Sequence, residues 1–524
     1  MKRISTRNLH VLKLTLFGFL ALSVFSCSKQ QEDESKSLKF TEQHRPQFHF
    51  SPPANWMNDP NGMVFHNGEY HLFYQFYPDS NVWGPMHWGH AISKDMIYWE
   101  HLPIALYPDN LGYIFSGSAV VDHQNTSGFG TQDNPPLVAI YTYHLMEGEK
   151  AGRNDYQTQG IAFSLDNGRS WTKYAQNPVL KNPGIKDFRD PKVIWYEASK
   201  KWIMILAVQD HVEFFESRDL KSWNKLSEFG LGVGSHGGVW ECPDLFPLKV
   251  DGEEEKWVML LSINPGAPNG GSGTQYFIGN FDGKSFTNDK LPDQSLWIDY
   301  GRDNYAGVTW SNIPESDGRR LFLGWMGNWE YAQVVPTTVW RSAMTLPREL
   351  SLTKTSAGIR LASHPVKEVE SLAGKAFILE KTTVKDEKIL TSSEMETGQF
   401  EVQIDLDSTS KRDFSIELFN TLGEKLVIRY SQEQNTVLVD RTAAGKNDFS
   451  PNFSGIAKGP RSITSYPTDI RLFVDHSSVE IFMDNGLLVM TETFFPSEPF
   501  KHVKIVSKEI RVRSVRVREL KRIW

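Results

Sequence analysis

Cysteine is nearly missing from this chain. Its 524 residues include two, Cys27 and Cys242, which rules out a disulfide framework. Long apolar runs are also scarce, and the run from Leu14 to Phe25 is too short to cross a bilayer comfortably. Between about residues 45 and 350 no convincing amphipathic helix can be found, and short β-rich runs alternate there with Gly, Pro, Asn and Asp. Positive charge is in deficit: 56 Lys and Arg face 63 Asp and Glu, a formal charge of −7. Such a surface disfavours nucleic acid and suits a neutral substrate. No glycine-rich phosphate loop follows a strand and opens a helix; Gly270-Gly271-Ser272-Gly273 reads as a flexible loop. His49, His66, His71, His87, His90 and His101 lack the local spacing of metal ligands. Neither metal nor cofactor is therefore expected.

The N-terminus reads as an address. Lys2, Arg3 and Arg7 precede the apolar run, which ends at Ser26-Cys27. This predicts a lipoprotein signal peptide over 1–26, with Cys27 acylated and residues 27–44 forming an acidic, polar tether. Residues 1–26 carry Lys2, Arg3, Arg7 and Lys13 and no acids, so their removal takes the formal charge from −7 to −11. The expected location is that of a secreted bacterial lipoprotein at the outer membrane or cell surface, its periplasmic face included. Membrane contact would be through the lipid alone, and the oligomeric state is left open.

Aromatic residues are plentiful, at 12% with 16 Trp. They suit both an all-β core and the flat faces of sugar rings. A loose repeat runs through the first part of the chain. Ser93-Lys94-Asp95 leads to Trp99, Ser164-Leu165-Asp166 to Trp171, Ser217-Arg218-Asp219 to Trp223, and Phe281-Asp282-Gly283 to Phe286. Irregular recurrence of an Asp-capped turn before an aromatic predicts propeller blades over 45–350. Residues 351–372 read as a linker with a short helix. Strand patterns then predict a β-sandwich over 373–524. In Ile510-Arg511-Val512-Arg513-Ser514-Val515-Arg516-Val517 the apolar phase flips once, as at a bulge, so the arginines belong to a solvated strand.

Three acids stand out from this background. Asp59 lies in Trp56-Met57-Asn58-Asp59-Pro60-Asn61-Gly62, Asp190 in Phe188-Arg189-Asp190-Pro191, and Glu241 in Trp240-Glu241-Cys242-Pro243-Asp244. A proline restrains the residue before it and lacks an N–H, so Asp59 and Asp190 are held directly, while Glu241 lies one residue further from Pro243 in a proline-stiffened, aromatic setting. In this order the motifs resemble those of glycoside hydrolase family 32, the β-fructofuranosidases, over nearly the whole mature chain. The resemblance implies a five-bladed propeller with its site in a central funnel, followed by the sandwich. It also implies a secreted retaining β-fructosidase acting on terminal β-D-fructofuranosyl residues of levan, inulin or sucrose.

In that reading Asp59 is the nucleophile, Glu241 the acid/base and Asp190 a stabiliser of the transition state. Trp56, Asn58, Gln75, Trp83, Phe115, Ser116, Arg189 and Trp325 would hold the terminal fructose, with Arg189 also fixing Asp190. Asp59 is expected to stay ionised, and Cys242 to be a small packing residue. Asp475-His476-Ser477-Ser478-Val479-Glu480 would have a structural role. An endo-levanase or a fructosyltransferase would use the same acids, whereas a non-catalytic fructan-binding lipoprotein would not need all three.

Overall fold

The innermost strands of five sheets form a ring, and the chain enters it through Asn55–His66. A computed structural model describes residues 40–289 and 295–524. The expected signal peptide, Cys27 and most of the tether lie outside the described residues. The fold occupies one compact unit, Glu42–Trp524. Among the described residues no helix is long and apolar enough to cross a membrane.

Each of the five sheets is an antiparallel meander. The first runs from Asn55–His66 through Glu69–Tyr77 and His87–Ser93 to Trp99–Leu106. The next two begin at Tyr113–Val121 and Phe188–Tyr196, the fourth at Val239–Val250 and the fifth at Tyr305–Thr309. These first strands contact one another in ring order, and the fifth returns to the first. The arrangement is the expected propeller, with five blades. Asn55 and Trp56 pair in parallel with Trp340 and Arg341, which clips the start of the first blade to the end of the chain's circuit.

The Asp-capped repeat is the turn between the third and fourth strands of the first four blades. In the first blade the Asp95 carboxylate accepts the amides of Ile97 and Tyr98 at 2.9 Å each, and the Trp99 indole donates to the Met96 carbonyl at 3.0 Å. The Asp219 and Trp223 pair repeats the same bonds. Asp166 and Trp171 give a variant of it, and Asp282 caps Lys284 and Ser285 in the fourth blade. The aromatic thus closes its own turn as well as packing.

Residues 351–372 are not a linker. Arg348–Thr355 and Gly358–Pro365 form a hairpin that completes the fifth blade, and Leu352 bridges in parallel to Val250 of the fourth. The 3-10 helix Lys367–Leu372 alone makes the connection, burying Val369 and Leu372. The propeller therefore runs on to Pro365.

Beyond it lies the sandwich, whose two layers share the strand His502–Leu520. The first part of this strand pairs with Phe414–Phe419 and the last part with Phe400–Leu406. The register skips at Arg513, because Asp405 faces Ser514 while Leu406 faces Val512. This is the bulge that the apolar phase flip predicts. Asp475 and Glu480 both reach across to the propeller side, each 2.9 Å from a ring nitrogen of buried His49. Glu480 also holds Arg348, whose Nε lies 3.1 Å away, so the segment fastens sandwich to propeller.

Candidate active site

All five inner strands lose register at the same level of the ring. The shifts fall between Met57 and Pro60, Ile114 and Gly117, Glu241 and Asp244, and Tyr305 and Val308. In the third blade the break lies where Lys192 and Arg189 face Ile205 and Ala207. A bulge turns a strand and re-aims its side chains. Here it presents Asp59, Ser116, Asp190 and Glu241 to one cavity of about 280 Å³. Pro60, Pro191 and Pro243 sit at three of these breaks, where a missing N–H costs no ladder bond. Asp190 and Cys242 adopt left-handed backbone, with φ of 62° and 46°. That conformation costs a β-substituted residue about 1–3 kcal/mol and persists where surroundings enforce it.

Asp59 is held from three sides. Asn58 Nδ2 donates to one oxygen at 2.9 Å, Ser116 Oγ donates to the other at 2.8 Å, and Cys242 Sγ lies 3.5 Å from the latter. The Trp56 indole donates to Asn58 Oδ1 at 2.7 Å, which fixes the amide with its N–H groups toward Asp59. Burial nevertheless raises the Asp59 carboxyl above its ordinary range, and the Glu241 charge adds to this against the pull of the two donors. The expectation of a readily ionised Asp59 is therefore too simple. Asp190 goes further. Burial lifts it to about 7, Arg189 opposes the shift, and Glu241 and Asp59 reinforce it.

Arg189 does less for Asp190 than expected. Its Nη1 donates to Asp187 at 2.7 Å and its Nη2 to Glu241 at 2.9 Å, while Asp190 is 3.9 Å away. Asp190 is fixed instead by the Cys242 amide, which donates to Oδ2 at 3.0 Å, and by its own amide donating to Thr142 Oγ1 at 2.9 Å. Tyr305 donates to the other oxygen of Glu241. Cys242, expected as mere packing, spans the acids: its Sγ is 3.7 Å from Asp190 as well. Burial drives its thiol well up, so it stays neutral and serves as a weak donor.

Asn58, Gln75, Trp83, Phe115, Ser116 and Arg189 all line the cavity. Trp56 and Trp325 do not. Both have no exposed surface and pack edge to face at 6.1 Å. Trp329, four residues beyond Trp325, lines the cavity in its place, backed by both indoles. Sequence reasoning also missed Tyr305, His144, Glu149, Asp187 and Gln333. Tyr305 carried a usable signal, since Asn304-Tyr305-Ala306-Gly307 opens the fifth blade at the height of the other motifs; His144 comes from the end of the strand Leu137–His144, and Glu149, Asp187 and Gln333 from connections between strands.

A propeller funnel that clusters three carboxyl groups among hydroxyl, amide and indole groups has the equipment of a glycoside hydrolase. Two family models match the chain: Glycosyl hydrolases family 32 N-terminal domain over residues 49–365, and Glycosyl hydrolases family 32 C terminal over 368–519. The chain belongs to glycosyl hydrolase family 32. It is 46% identical over 518 residues to a levanase of Bacillus subtilis, covering 98% of this chain and 75% of that protein. An extracellular exo-inulinase of Aspergillus niger is 39% identical over 513 residues, 92% of this chain and 95% of its own. Among solved structures, the exo-inulinase of Aspergillus awamori superposes with a TM-score of 0.84 at 36% identity, over 93% of this chain and all of that one. A fructofuranosidase from Schwanniomyces occidentalis, complexed with fructosylnystose, gives a TM-score of 0.83 at 32% identity, over 93% and 99% of the two chains.

Proposed function

We propose that this glycoside hydrolase removes terminal β-D-fructofuranosyl residues from levan, inulin and sucrose with retention of configuration. One observation carries the assignment of roles: Asp59, Asp190 and Glu241 line a single cavity and perturb one another electrostatically. Glu241, held by Arg189 and Tyr305, gives its proton to the glycosidic oxygen as that bond breaks. Asp59 attacks the anomeric carbon and forms a fructosyl ester. The leaving sugar departs, and the Glu241 carboxylate takes a proton from the incoming water. The hydroxide so formed attacks the anomeric carbon and frees Asp59. Such a mechanism requires the two carboxyl groups to lie only about 5–5.5 Å apart. Asp190 accepts hydroxyls of the fructosyl ring, and these bonds tighten as positive charge builds.

Trp83, Phe115 and Trp329 wall a cavity of about 280 Å³, a size that favours one terminal unit and hence exo action. The relatives described as levanase and exo-inulinase support the substrate class. The lipid anchor at Cys27, with surface or periplasmic display, belongs to the same proposal. Its test is the membrane fraction, which Cys27→Ala should empty.

Asp59→Ala and Glu241→Ala should each lower hydrolysis of levan and inulin by roughly a thousandfold or more while leaving circular dichroism unchanged. Near-full activity in either would overturn the assignment. NMR of the first-formed fructose anomer should show retention, and inversion would exclude Asp59 as nucleophile. Free fructose alone in a levan digest supports exo action; a ladder of oligosaccharides would instead indicate an endo-levanase. Dominant sugar transfer at high sucrose would indicate a fructosyltransferase.

A further inference from the structure

The second blade contributes a wall of the cavity that the three acids leave unused. His144 ends the strand Leu137–His144, and the short helix Met146–Lys150 follows at once, carrying Glu149. His144, Glu149 and Gln157 all line the same cavity as Asp59 and Glu241. The His144 ring stacks on Phe115, with centroids 4.2 Å apart and planes within 9°.

Hydrogen bonds fix the direction of this wall. The Phe188 amide donates to Gln157 Oε1 at 2.8 Å, which leaves the Gln157 amide hydrogens facing His144 Nδ1 at 3.2 Å. Nδ1 must then accept, so the ring proton sits on Nε2 and is donated to Glu149 Oε2 at 3.1 Å. Burial pushes His144 down to about 4 against the opposing effect of Glu149, and the ring stays neutral. A backbone amide thus orients an amide, the amide a tautomer, and the tautomer a carboxylate. Glu149 remains 43% exposed in its side chain, so its second oxygen is open to a ligand.

Its neighbourhood gives the carboxylate a place in the reaction. Gln157 is bonded to the Phe188 amide, the next residue Arg189 grips Glu241 at 2.9 Å, and Asp187 and Arg189 line the cavity beside this wall. The wall therefore adjoins the proton donor through Phe188-Arg189. On the reading proposed above, the leaving group departs from that side. We propose that Glu149 selects the leaving group, accepting hydroxyl hydrogen bonds from the sugar next to the scissile bond. With Asp187 lining the same cavity, it also disfavours a negatively charged leaving group. The class of substrate is a neutral, polyhydroxylated leaving unit.

The test compares kcat/KM on sucrose and short levan oligosaccharides with kcat/KM on methyl β-D-fructofuranoside, whose leaving group is methanol. Glu149→Ala should lower the sugar-to-methyl ratio roughly tenfold or more, the worth of a hydrogen bond to a charged group. Most of the effect should fall in KM, and Glu149→Gln should recover part of it. His144→Ala, which frees the carboxylate from its donor, should lower the ratio in the same direction. An equal fall on both substrates, or an unchanged ratio in a variant with wild-type melting behaviour, overturns the inference. Failure of the wild-type protein to cleave either substrate would instead overturn the proposed function.

Discussion

Replacing Asp190 with asparagine should make the protein more stable and less active, by amounts the structure sets. The folded-state carboxyl is lifted to about 7 from an ordinary 3.8, chiefly by burial. A raised folded pKa means that protons bind the native state more tightly than the unfolded one. The stability this group contributes is complete below pH 3.8, fades as pH rises, and is gone above about 7. At about 1.4 kcal/mol per unit, the loss across this window is about 4 kcal/mol. Asparagine keeps an acceptor for the Cys242 amide, which donates at 3.0 Å, and carries no charge to bury. Asp190→Asn should therefore melt roughly 4 °C above the wild type at pH 8, given the entropy of unfolding a chain this long. The gap should close toward pH 4. On the proposed mechanism fructan hydrolysis should fall roughly tenfold to hundredfold, because a charged acceptor of ring hydroxyls is lost. Thermal melts of both proteins at half-unit pH steps, with initial rates alongside, make the comparison. A variant that melts below the wild type at pH 8, or a gap that ignores pH, would refute the reasoning.

Two further variants separate fold from site. His49→Ala strips the cation shared by buried Asp475 and Glu480 and should cost about 3–5 kcal/mol in denaturant titrations. Burial pulls the His49 ring down, but the hydrogen bonds and charges of Asp475 and Glu480 together raise it to about 9, so its contribution is full below pH 6.5 and lost as pH climbs through 9; the variant should lack that decline. Trp329→Ala should raise KM for sucrose with little change in melting. Trp325→Ala, which empties a side chain with no exposed surface, should cost about 3–5 kcal/mol instead.

The sequence made the blades legible because their turns are local. An aspartate two residues after a serine accepts the amides of the residues that follow it, and no distant contact is needed to see it. The bulge at Arg513 showed itself in the same way, through strand alternation. The acids were legible through the prolines beside them, which the bulges accommodate. What escaped depends on the ring as a whole. Trp325 and Trp329 are both near the end of the strand Arg320–Met326, and only the packing of Trp56 decides which indole faces the cavity. The residues 351–365 are rich in Ser and Thr and resemble a linker because a hairpin on the propeller's outside needs few apolar side chains. Arg189 sits next to Asp190 in the chain, yet the bulge turns it toward Glu241. Adjacency in sequence says little where the backbone is reversing its faces.

The parallel clip between Asn55-Trp56 and Trp340-Arg341 has a consequence for how the protein comes into being. The strand that carries Asp59 is fastened by residues made almost three hundred positions later, so a chain emerging from synthesis or export carries Asp59 long before anything can aim it. Catalytic competence should switch on at a single late moment, when the last blade locks home. No truncated or half-threaded form should cut sugar.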